Sequence, residues 1–105
     1  MIPPRRHSHP TAGVALEYEI VQEQATALGR LGRALEEALA ALADYDRVSR
    51  ARDNARAQLV QEASTALWYF IVQREACGLR DPRPVIRDYR VPADVYACMG
   101  AFGRR

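Results

Sequence analysis

The stretch VALEYEIVQEQATALGRLGRALEEALAAL (residues 14–42) decides the fold. Within it Val14, Tyr18, Val21, Ala25, Leu28, Gly32, Leu35, Leu39 and Leu42 are spaced alternately by four and three residues, the seam of a long helix. Ala, Leu, Glu, Gln and Arg, all strong helix formers, fill most of the remaining positions. Thr11 stands where it can cap the N-terminus, and Glu17 and Glu19 lie near the positive end of the helix dipole. Gly29 and Gly32 each cost up to about 1 kcal/mol relative to alanine inside a helix. Leucines continue in phase on both sides of Gly32, so it reads as a place where another helix approaches closely, not as a hinge.

Outward from this helix, the apolar stripe thins over residues 44–54 (DYDRVSRARDN) to Tyr45 and Val48, which predicts a chain reversal with Asp46, Ser49 and Asp53 as competing N-caps. A second helix follows, ended by Gly78 in the left-handed position after Cys77, with Leu79 folding back onto the last turn. Its broad apolar face (Leu59, Val60, Ala63, Ala66, Leu67, Phe70, Ile71, Cys77) meets the first helix, with Phe70 expected opposite about Leu28. The segment LWYFIV (67–72) is apolar all round, so Trp68, Tyr69 and Val72 are expected to form a second face, covered by the C-terminal segment or by a partner. Prolines in RDPRP (80–84) predict an extended stretch, with Val85, Ile86 and Tyr89 readable as a helical turn or a strand, and Pro92 can start a short helix that Gly100 ends.

The predicted architecture is therefore all-α: a disordered tail over 1–10 and one helical domain over 11–105. That domain has helices over about 11–44, 50–77 and 92–99, and an extended segment over 79–91. A first helix of about 32 residues would run about 48 Å, whereas a compact chain of this size has a radius of gyration of about 13 Å. One short third helix cannot cover a hairpin of that length, so the sequence predicts a homodimer in which two hairpins form a four-helix bundle.

Composition excludes several classes. Among 105 residues are 18 alanines, 15 arginines, no lysine and 13 carboxylates, a net charge of +2; without Arg5, Arg6, Arg104 and Arg105 the balance is 11 arginines against 13 carboxylates, or −2. The body is thus not a basic, nucleic-acid-shaped object. The longest apolar run, Ala66 to Val72, is seven residues, far short of the about 20 that a spanning helix needs. The basic N-terminal residues run into His7, Ser8, His9 and Pro10 instead of an apolar core, which argues against a secretory signal and makes the cytoplasm the expected compartment.

Enzyme chemistry finds no support in the pattern. The two histidines, His7 and His9, fall in the tail, so no rigid Ser/His/Asp or Cys/His arrangement is available and no cofactor or metal site is expected. Cys77 and Cys98 lack zinc-site spacing and sit toward helix C-termini, where the dipole disfavours a thiolate; they are expected to be buried, inert thiols, with a 77–98 disulfide as the alternative. Glu17, Glu23, Glu36 and Glu37 read as a solvated face. Arg74, on the apolar face of the second helix, is expected to pair with Glu23 or else to snorkel to the edge. Arg47, Arg50, Arg52 and Arg56 cluster at the hairpin tip and are the candidate phosphate contacts, although aspartates leave residues 44–58 at only +1.

The blocks LEYEIVQEQATALGRLGRALEEAL (16–39) and ALWYFIVQREACGLRDPRPVIRDYRVPADVYACMG (66–100) resemble a small family of uncharacterised bacterial proteins. The resemblance implies a bacterial helical protein and carries over no functional residues. The reading of the sequence is a non-enzymatic helical interaction or assembly protein, with a nucleic-acid-associated regulator using the tip arginines as the alternative.

Overall fold

The computed structural model describes residues 12–103, with side chains described for 12–99. The expected tail, with His7 and His9, and the expected cap Thr11 lie outside the described residues. Four helices follow in order: α1 (Ala12–Val48), α2 (Asn54–Ala76), α3 (Arg83–Asp88) and α4 (Ala93–Gly103). The first pair forms the predicted antiparallel hairpin, and α4 packs onto α2. At 37 residues, α1 is about 55 Å long. The radius of gyration of 19.4 Å accords with the expected elongation.

The reversal occupies residues 49–53, later than expected, and Asp53 prevails among the three candidate caps. Its carboxylate accepts the backbone N–H of Arg56 at 3.0 Å and also the Tyr45 hydroxyl at 2.6 Å, so one side chain both starts α2 and ties it to the end of α1. The lengthened reversal shifts the helix pairing by about one turn. Phe70 packs against Gly32 instead of Leu28, and Arg74 makes no ion pair with Glu23 but donates to the Asp81 carbonyl at 3.0 Å.

Gly32 carries the close approach its place in the seam suggested. A Cβ there would lie 3.0 Å from Tyr89 Oη and 3.4 Å from Phe70 Cε1, whereas one at Gly29 would meet only Arg33 Nη1 at 3.6 Å. Around this contact the core collects Leu35 and Leu42 from α1, Ala63, Leu67, Phe70 and Ile71 from α2, and Val85, Val91 and Val95 from the C-terminal part.

The end of α2 follows the sequence expectation. Gly78, at φ +91°, donates to Glu75 O, and Leu79 donates to Arg74 O, the paired bonds of a Schellman motif. The C-terminal segment departs from it in part. Residues 79–91, expected to be an extended segment with Val85, Ile86 and Tyr89 readable as a helical turn or a strand, contain α3 and so take the helical alternative. The Asp81 carboxylate accepts the Arg83 N–H at 3.0 Å, and Pro84 falls in the first turn, where its missing N–H costs nothing. A second Schellman motif closes α3: Arg90 N–H bonds Arg87 O and Val91 N–H bonds Ile86 O. Here the left-handed residue is Arg90, at φ +54°, where glycine would be the usual choice. Helix α4 starts after Pro92 as expected but continues beyond Gly100 to Gly103.

Candidate functional site

The hairpin tip, the Trp68 face and the exposed end of α1 carry the candidate functional side chains. At the tip the four arginines have different surroundings. Arg47 is exposed and paired with Asp44 at 2.6 Å, while Arg50 and Arg52 point to solvent. Arg56 turns inward and is only 9% exposed. Its Nε and Nη2 donate to the two carboxylate oxygens of Asp46 on α1, at 2.8 and 3.0 Å, and its Nη1 donates to Asp94 on α4 at 2.8 Å. Hydrogen bonding from Arg56 lowers the Asp46 pKa, and the two carboxylates push that of Arg56 upward. One guanidinium thus joins three helices, and its donors face protein carboxylates in place of phosphates. Three spread arginines remain of the expected cluster, one of them paired.

Trp68, Tyr69 and Val72 do share a face of α2, and among the described residues the C-terminal segment does not cover it. They are 37%, 53% and 41% exposed, with the two rings edge-on at 5.6 Å. Instead α4 takes the adjoining side, where buried Ser64 donates to the Val95 carbonyl at 2.8 Å. Ser64 is the residue that sequence reasoning missed. A serine among apolar neighbours gives no sign that its hydroxyl will find a carbonyl on a distant helix.

On α1 the seam is split. From Leu28 onward its side chains are wholly or partly buried, but Tyr18 and Val21 are 74% and 60% exposed, and on the far side of the same stretch Leu16 and Ile20 are 57% and 50% exposed. Phe70 lies at Gly32 and α2 ends six residues later, so in antiparallel pairing α2 reaches back only to about residue 26. The rest of α1 overhangs.

Little in the described region resembles a reaction centre. A groove of about 940 Å³ between α1 and the α3–α4 connection is lined by Glu36, Leu42, Asp46, Tyr89 and Arg90, among others. Tyr89 has its pKa raised by burial first and by Glu36 second, so its phenol stays protonated at neutral pH and is no base. Among the described residues no group of three or more His, Cys, Asp or Glu is placed to hold a metal ion. Both cysteines are free thiols, half-buried where burial was expected. Cys98 Sγ lies 3.5 Å from Gln61 Oε1, whereas Cys77 follows the far end of α2. Sixteen residues of helix separate Gln61 from Cys77, about 24 Å, which places the pair beyond the about 7 Å limit for a disulfide. No described helix is long and apolar enough to cross a membrane.

Residues 5–105 match a family of unknown function, DUF6665. The chain belongs to that family. The match takes in α1 to α4, so the hairpin, the Arg56 junction and the overhang all lie within the DUF6665 region. No curated protein and no solved structure matches the chain.

Proposed function

We propose that this DUF6665 protein is a non-enzymatic, cytoplasmic interaction and assembly protein that works as a homodimer. The observation that carries the reading is the exposure of large apolar side chains at two places on one small chain: Leu16, Tyr18, Ile20 and Val21 on α1, and Trp68, Tyr69 and Val72 on α2. Grouped apolar exposure of this kind marks an association surface. A side-by-side four-helix bundle of two hairpins would use the Trp68 face, and an end-to-end contact would use the α1 overhang. Light scattering at tens of micromolar should return the mass of a dimer, and a monomer at that concentration overturns the reading. The nucleic-acid alternative loses support because Arg56 is engaged by Asp46 and Asp94. Salt-sensitive DNA or RNA binding that disappears on neutralising Arg50 and Arg52 would restore it.

A further inference from the structure

We infer that residues 12–24 of α1 form a self-association site whose occupant is the same segment of a second copy, running antiparallel, on the line that α2 follows further along α1. The inference rests on the assembly reading above and adds its location and geometry.

Continuity of the seam comes first. Tyr18, Val21 and Ala25 keep the spacing and phase of Leu28, Gly32, Leu35, Leu39 and Leu42, so the surface that receives α2 does not end where α2 ends. Tyr18 and Val21 are nonetheless 74% and 60% exposed. What completes this surface is another helix laid along the same seam. The stretch beyond α2 is about 14 residues, or about 21 Å. A second copy supplies a helix of that same length with the same seam, and a two-fold pairing covers both exposed stretches at once.

Direction and register follow from the neighbours. In a parallel pair each α2 would lie on the partner-facing side of its own α1 at the same level, so two helices about 10 Å wide would have to share one space. Antiparallel pairing sends the two hairpins in opposite directions and brings each helix start close to the other copy's α2 terminus, uniting opposite ends of two helix dipoles. In the register that respects the alternating spacing, Tyr18 lies against Val21 of the second copy and Val21 against its Tyr18.

Charge is compatible with this register. Residues 12–24 carry Glu17, Glu19 and Glu23 and no arginine. At 100° per residue Glu19 and Glu23 point away from the seam. Glu17 flanks it but faces the neutral Gln24 on the same flank of the second copy.

The test is a set of inter-copy distances. In a chain with Cys77→Ala and Cys98→Ala, a spin label is placed singly at Glu23, Arg30 or Glu37, which are exposed and seven residues apart on one face. Antiparallel pairing centred between residues 19 and 20 predicts distances that lengthen by about 21 Å at each step. Distances equal at all three positions overturn the inference while leaving the assembly reading in place, and a monomer overturns both. In parallel, Val21→Glu should weaken dimerisation by tenfold or more with helical content retained, and Val72→Glu should leave it unchanged. The reverse pattern would assign the dimer to the Trp68 face and overturn the inference alone.

Discussion

Residues 12–27 and 28–48 of α1 continue one seam in one phase, yet Leu35 and Leu42 are 0% and 1% exposed while Tyr18 and Val21 stand at 74% and 60%. The covered half lies along α2 and receives the Phe70 ring and the Tyr89 hydroxyl at Gly32. The other half projects past the end of α2. A periodic stripe determines which way a helix faces, and the length of the neighbouring helix determines how much of that stripe is sealed within one chain.

The contrast yields predictions of decreasing size. Leu35→Ala should destabilise the protomer by about 2–5 kcal/mol in denaturant unfolding, because a fully buried leucine leaves a cavity. A loss below 1 kcal/mol would mean that the covered half is not sealed. Acid should act next, and at the covered end. Hydrogen bonding from Tyr45 lowers the Asp53 pKa, and hydrogen bonding from Arg56 lowers that of Asp46. Depressed carboxylates stabilise the fold above their unfolded pKa values, and that stabilisation is lost as pH falls through the folded ones. Melting temperature should therefore drop below about pH 4, and Asp53→Asn should flatten the curve.

The two glycines give a smaller test with opposite signs. Gly29→Ala has room for its methyl and should gain about 0.5–1 kcal/mol. Gly32→Ala meets Tyr89 Oη at 3.0 Å and should lose about 1 kcal/mol despite the better helix propensity. Smallest of all, Val21→Ala should change protomer stability by no more than about 0.5 kcal/mol when measured at high dilution. A larger loss there would show that the overhang is packed within the single chain.

How much of this was legible in the sequence depends on whether the deciding contact is local. Gly78 followed by Leu79 announces its Schellman motif because the residue that accepts a left-handed backbone stands in the position that needs one. The matching motif at Arg90 is silent, since arginine carries no such signal and the chain is held there by the Ile86 carbonyl and the burial of Val91. Gly32 could be read as a packing position because leucines continue past it. Its true neighbour, Phe70, required the length of the reversal, which no proline or glycine marks. Arg56 looked like Arg50 and Arg52 because a run of arginines does not show which one lies within reach of an aspartate 38 residues away. The exposed faces were half legible: Trp68, Tyr69 and Val72 were recognised as a second face, but the continuous repeat concealed that α1 outruns α2.

The Arg56 junction also bears on the order in which the chain assembles. Asp46 is ten residues away along the chain and Asp94 is 38, so the first contact closes a short loop and the second a long one, at greater entropic cost. The hairpin can form while the last third of the chain is still unattached. The docking of α4, with Val95 beneath it, would then be a late and separately reversible step. Amide exchange should report it, with protons near Val91 and Val95 released more readily than those around Leu35 and Leu67.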